Sequence, residues 1–241
     1  MDDSIFIAAS GMHAVERMLE NSAYNTVNVN TPGFHRQKVV LQRFGDLLAD
    51  AGQRADLIGT REYVSFEQGR LNPTELPFAS ALEGEGFYAV RDPNGRDLYT
   101  RNGDFKIDAD GKLITRGSLT VLDEDERDII LDPRGGTVDI DENGNVSQGG
   151  AVVGRLRVVE FATADRLRLE AISETLYQAP EGVVGEEAKA TKVRQGYLET
   201  PNFDAAQGLV QMLNARRNYE AMSKALKALD DSRDHLISGA Q

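Results

Sequence analysis

The last forty residues, 202–241, contain no proline, and their apolar positions recur in alternating steps of three and four. Ala205, Gly208, Met212, Ala215, Tyr219, Met222, Leu226, Leu229 and Leu236 fall on one ladder, interrupted at Arg233. A 3.5-residue repeat of this kind holds one stripe of a long helix against a partner helix. At 1.5 Å rise per residue the helix would run roughly 50 Å or more, too long for one compact domain to cover. It needs a partner from elsewhere.

The start of the chain offers one. Ile5, Ala8, Met12, Val15, Leu19 and Ser22 step by three and four in the same way, which predicts a second amphipathic helix over residues 4–29. Ser4 is its expected N-cap, with Asp2 and Asp3 at the positive end of the dipole. All seven prolines lie between Pro32 and Pro201, so the two ladders stand at opposite ends of a chain whose middle is built differently. The first helix is expected to stop in Asn25-Thr26-Val27-Asn28-Val29-Asn30-Thr31-Pro32-Gly33-Phe34, because Pro32 biases Thr31 away from helical geometry.

The middle carries turn dipeptides every eight to ten residues. Strands are expected at 87–91 and around Tyr99-Thr100-Arg101, separated by Asp92-Pro93-Asn94-Gly95, and the pattern repeats at Asp108-Ala109-Asp110-Gly111. A long strand is expected over residues 152–161 and a short one near 172–177. The pair Gly84 and Gly86 precedes a strand and lacks a third glycine, so it is no dinucleotide fingerprint. Asp139-x-Asp141-x-Asn143-Gly144 opens like a calcium loop. Its twelfth position, where a bidentate glutamate belongs, is Gly150, and the stretch reads as a hairpin turn. The expected fold is α+β, with paired long N- and C-terminal helices, coiled-coil-like, flanking a mainly antiparallel β domain. The expected division is 1–34 (axial helix and Asn-rich turn), 35–66 (extended linker), 67–195 (outer β domain) and 196–241 (C-terminal axial helix packing with 1–34).

Charge and chemistry narrow the function. The net charge of −12 argues against nucleic acid, which is bound by neutralising phosphates. Residues 67–195 hold 25 acids against 16 bases, whereas the ends are nearly balanced; an acidic middle suits solvated surface and neutral apolar ends suit contact. There are no cysteines. No apolar run approaches the 18 residues of a membrane span. The acidic start predicts no secretory leader. The three histidines, His13, His35 and His235, are scattered, and no hydrolase, zinc or phosphate-loop motif occurs. No catalytic, cofactor-binding or metal residue is expected, and no small-molecule substrate.

Several stretches resemble a known family. Asn25, Asn28, Asn30, Thr31, Gly33 and Phe34 resemble the Asn-rich motif of flagellar rod and hook proteins, with departures at Tyr24, Thr26 and His35. Gly69-x-Leu71, Gly84-x-Gly86-Phe87-Tyr88 and Tyr99-Thr100-Arg101-x-Gly103-x-Phe105 resemble the central region of the rod proteins. Gly196-Tyr197-Leu198-Glu199-Thr200-Pro201-Asn202 resembles the family's hinge, and Arg216-Arg217-Asn218-Tyr219-Glu220 its helix signature. The resemblance implies a structural subunit of the basal-body rod, the periplasm-spanning shaft of the flagellum, with itself and other rod and hook proteins as partners. It also implies passage through the flagellar type III export apparatus without a cleaved leader. The start Met1-Asp2-Asp3-Ser4-Ile5-Phe6 and the short length look like the proximal-rod type, with the distal rod as alternative. The expected assembly seam is Ile5, Ala8, Met12, Val15, Leu19, Met212, Tyr219, Met222, Leu226, Leu229 and Leu236. Apart from the resemblance, a coiled-coil adhesion or binding module fits the residues equally well, and a hydrolase of cell-wall glycan fits them poorly.

Overall fold

A computed structural model describes residues 2–43 and 58–238. Among them are eighteen strands and three helices: α1 (Asp2–Val27), the single-turn α2 (Thr163–Arg166) and α3 (Ala205–Ser238). The chain divides into two compact units. The first comprises Met1–Val27, Gln37–Tyr63 and Phe203–Gln241; the second comprises Asn28–Arg36 and Val64–Asn202.

The second unit is an assembly of antiparallel sheets. Its largest is nine-stranded and centres on β5 (Phe87–Arg91) and β6 (Asp97–Thr100). On one side of this pair come β9 (Thr120–Val121), β8 (Leu113–Thr115) and β7 (Phe105–Ile107); on the other, β15 (Leu176–Gln178) and β14 (Glu170–Ala171). Smaller sheets join β4 (Ser80–Glu83) to β17 (Lys192–Gln195), and β3 (Leu71–Pro73) to β18 (Tyr197–Glu199). A meander of β10 (Val138–Ile140), β11 (Asn145–Gln148) and β12 (Ala151–Arg155) completes it.

The four residues Phe87, Tyr88, Ala89 and Val90 are all buried, so β5 is covered on both faces. Strand alternation sends Tyr88 and Val90 into a core with Leu82, Leu98, Phe105 and Val146, and Phe87 into a second core with Phe161 and Tyr177. The Tyr88 hydroxyl meets Ser80 Oγ at 2.8 Å, which satisfies the one polar atom this ring brings inside.

Hairpin turns recur because one short motif recurs. At Asp92, Asp108 and Asp141 the carboxylate Oδ1 accepts the backbone N–H groups two and four residues on, at 2.8–2.9 Å. Gly95, Gly111 and Gly144 then take φ of 82°, 83° and 84°, where a side chain would be strained. Burial raises the Asp141 carboxyl, but bonds from Asn145 and Asn143 outweigh it and hold the group below the usual carboxylate range. That segment is the connection between β10 and β11, as its hairpin reading predicts. The expected strand over 152–161 is two pieces, β12 and β13 (Val158–Glu160). Leu156 leaves the meander to bridge Asp123 instead.

In the first unit, β1 (Gln37–Arg43) pairs with β2 (Ile58–Val64). The α1 helix already starts at Asp2, so Ser4 lies inside it rather than capping it. At the start of α3, Asp204 Oδ1 accepts the Ala206 amide at 2.7 Å, the geometry of an N-cap.

The expected α+β fold, with paired coiled-coil-like terminal helices flanking the β domain, is overturned. The chain is mostly a β-sheet domain, with three helices against eighteen strands among the described residues. The 3.5-residue ladder does not become a knobs-into-holes seam. Of the α3 residues whose side chains are described, only Gly208 and Ala215 are buried. Gly208 sits so close to Thr26 and Phe203 that a Cβ there would stand 2.7 Å from Thr26 Oγ1 and 2.5 Å from the Phe203 ring. Small residues bring backbones together; they do not supply the large interlocking side chains a coiled coil requires.

Candidate assembly site

The expected seam residues fall into three groups. Val15 is buried. Met12, Leu19, Met212, Met222 and Leu226 are half-buried, and Tyr219 is exposed. The side chains of Ile5, Ala8, Leu229 and Leu236 lie outside the described residues. Beside the ladder, α3 carries a second apolar stripe. Leu209, Val210 and Leu213 are 56%, 56% and 51% exposed, and their i, i+1, i+4 spacing places them on one side of the helix.

The Asn-rich motif has two distinct roles. In the first unit Asn25, at the end of α1, is buried and reads both polar groups of one residue. Its Oδ1 accepts the Gln37 amide at 2.9 Å and its Nδ2 donates to the Gln37 carbonyl at 2.8 Å. Only a side-chain amide offers an acceptor and a donor side by side, so aspartate could not replace it without losing one bond. The remainder of the motif belongs to the second unit. There Thr31 N–H donates to the Asn28 carbonyl and Phe34 N–H to the Thr31 carbonyl, both at 3.1 Å, folding residues 28–34 into successive turns. Asn30 is exposed. Gly33 has φ 70° and lies so near the backbone that a Cβ would stand 2.4 Å from Asn102 N, so no larger residue fits. Its N–H donates to the Glu199 carbonyl at 2.9 Å, and Phe34 is buried beside it in sequence.

These turns are seated next to a buried polar centre. The Glu199 carboxylate, on β18, accepts Arg101 Nε at 2.9 Å on one oxygen and the Gly69 amide at 2.8 Å on the other. The Arg101 and Glu199 side chains are 3% and 1% exposed. Arg101 also donates Nη1 to the carbonyls of Gly84 and Gly86, which gives the Gly84-x-Gly86 pair its meaning: it presents carbonyls to a guanidinium. The close approach of Thr191 at both glycines leaves no room for a side chain. His35 completes the centre. Its Nδ1 donates to the Ser65 carbonyl at 3.1 Å, and its Nε2 faces Glu199 Oε1 at 3.7 Å. Burial pulls the imidazole down to about 4, with Glu199 opposing the shift and Arg101 reinforcing it, so His35 is neutral at neutral pH. The Phe66 ring lies 5.5 Å from His35 and 5.0 Å from Tyr177, joining this centre to the aromatic core.

Reading the sequence located Arg101, Glu199 and Asn202 inside family motifs but gave them no common place, and treated His35 as isolated. Arg101 and Glu199 are 98 positions apart.

Comparison with known proteins places the sequence in a family. Residues 81–148 match the family described as flagellar hook protein FlgE/F/G D1 domain, and residues 194–238 match flagellar basal body rod FlgEFG protein C-terminal. Flagellar basal-body rod protein FlgG of Borreliella burgdorferi is 31% identical over 262 residues, covering 95% of each chain. FlgF of Mesorhizobium japonicum is 28% identical over 240 residues, covering 98% of this chain and 97% of that protein. FlgF of Caulobacter vibrioides is 27% identical, covering 94% and 93%. The chain belongs to the flagellar basal-body rod protein family. It is a structural subunit of the basal body and not an enzyme, and it assembles with other flagellar rod and hook proteins.

Proposed function

We propose that this subunit builds into the rod through its terminal helices, with the exposed stripe of α3 as the contact that neighbours cover. The observation that carries this reading is that Leu209, Val210 and Leu213 are each more than half exposed in the single chain, on a helix rich in charged residues elsewhere. Covering such side chains contributes about 1.5–3 kcal/mol each, enough for a few per subunit to hold a filament. A contact between two different surfaces repeats without closing, and so grows a helical shaft. The seam residues of the ladder, Met212, Tyr219, Met222 and Leu226 among them, are the neighbouring contacts of the same helix.

The full-length match to FlgF proteins and the short middle support a proximal-rod position, with the distal rod as the competing placement. The shaft lies in the periplasm, and the chain reaches it through the flagellar type III apparatus. Nucleic acid has no part in this role, in keeping with the net charge of −12.

Electron microscopy of basal bodies from a clean deletion strain tests the reading. Rings with an absent or truncated rod and no hook are expected, and the point of truncation separates proximal from distal. Complete hooks on complete rods would sink it.

A further inference from the structure

Asn202 stands just before α3 but does not cap it. Its side-chain Oδ1 accepts the Arg36 amide at 2.8 Å. Its Nδ2 donates to the Ser65 carbonyl and to the Glu67 carbonyl, both at 2.7 Å. Capping is left to Asp204. Some amides, such as Gln148 with Asp132, serve one backbone residue at two points. Asn202, like Gln195 within the sheets, ties together separate segments, here ones that lie 166 and 135–137 positions away from it and border the chain's crossings.

The neighbouring bonds close the same joint. Gly33 N–H donates to the Glu199 carbonyl, Gly69 N–H to the Glu199 carboxylate, Ser65 N–H to the Arg36 carbonyl and Thr200 N–H to the Arg70 carbonyl. Residues 199–202 therefore clasp residues 33–36 and 65–70 at once. Each clasped segment borders a point where the chain passes from one compact unit to the other, and Asn202 is itself the last residue of the second unit.

Resting on the rod reading, we propose that Asn202 is a positioning residue. Its amide sets residues 33–36 and 65–67 in one register at the chain's crossings, and incorporation into the rod depends on that register. The requirement is for an amide specifically, because one acceptor and both donor hydrogens are used. Aspartate, nearly the same size, keeps the acceptor but turns a carboxylate oxygen toward two carbonyls. Alanine removes all three bonds without adding repulsion.

That difference gives the test. Amide hydrogen exchange is measured on the full chain, unaltered and as Asn202→Asp and Asn202→Ala, at Gly33, Ser65 and Gly69, whose N–H groups donate to residues other than 202. Protection at these amides is expected to fall tenfold or more in Asn202→Asp and by less in Asn202→Ala, while Val90 and Val121 in the sheet keep theirs. Swimming and rod incorporation are expected to fail in Asn202→Asp. Aspartate proving milder than alanine would mean that residue 202 acts by filling space, and would overturn the proposal. Lost protection with normal incorporation would overturn it too, since the clasp would then be unnecessary for assembly. Failure of the unaltered chain to enter rods would refute the rod reading instead, and leave the exchange contrast standing.

Discussion

The two compact units differ in where their largest apolar side chains go, although both leave some apolar residues exposed, Ile130, Val152 and Val184 among them in the second. In the second, the largest side chains are hidden: Tyr88, Tyr177, Phe34, Phe87 and Leu82 are each 0–1% exposed. In the first, α3 shows Leu209, Val210 and Leu213 to solvent, α1 ends on Val27 at 80% exposure, and β1 exposes Val40 and Leu41. Neither composition nor helix propensity explains the contrast. A sheet unit with two cores buries both faces of its central strand, whereas a long helix presents more circumference than its own chain covers. The second unit has two cores of its own. In the first, the exposed stripe of α3 is the surface proposed above for neighbouring subunits.

Substitutions across the two units test that contrast. Tyr88→Ala opens a cavity in the closed core and removes the partner of Ser80; it is expected to cost about 3–5 kcal/mol in denaturant unfolding. Arg101→Leu leaves the Glu199 carboxylate buried without its cation and is expected to cost about 3 kcal/mol. A much smaller loss would mean that water reaches this centre, and the second unit would no longer count as closed.

The third effect depends on pH. His35 has a folded-state value near 4, below the 6.5 of a free imidazole. The unfolded chain therefore binds the extra proton first, so the contribution is present above pH 6.5 and is lost as pH falls toward 4. The loss is on the order of 3 kcal/mol. Unfolding free energies measured from pH 7.5 to 4 should show it, and His35→Gln should remove that part of the slope. An unchanged slope in the variant would assign the acid sensitivity to other groups.

A smaller gain is expected from Glu126→Gly. Glu126 stands at φ 63° in the turn after Asp123, at the place where the sister turns have glycine. It is retained in that strained geometry with its carboxylate beside Arg91 and Arg157. Relief of the strain outweighs half-exposed ion pairs, and a stabilisation of about 0.5 kcal/mol should appear in thermal melts. Leu213→Asp is expected to change the free chain least, by less than about 0.5 kcal/mol, yet to stop rod growth in cells. If it destabilises the monomer as Tyr88→Ala does, the stripe is core after all and the contrast between units fails.

Much of this was legible residue by residue. The strand at 87–91, the hairpins with Asp-x-Asn-Gly or Asp-x-Asp-Gly turns and the helical ladders at both ends are local patterns, settled within about ten residues by backbone sterics and side-chain alternation. The Asn-rich motif was recognised as well, but not its division, with Asn25 serving Gln37 in one unit and residues 28–36 folded into the other. The balance of the fold was misjudged because periodicity shows which face of a helix is apolar, not how much of that face is covered.

What the sequence by itself determined is the helical ladders at both ends, the strand at 87–91, the Asp–Gly turns and the kinship with rod proteins. Only the tertiary structure decided that Glu199 meets Arg101 and His35, that Asn202 clasps residues 36, 65 and 67 instead of capping α3, and that Leu209, Val210 and Leu213 of α3 stay outside. Those outcomes rest on contacts between residues up to 166 positions apart. Their free energy comes from burial and from satisfying polar groups inside it, and no window along the chain contains that information.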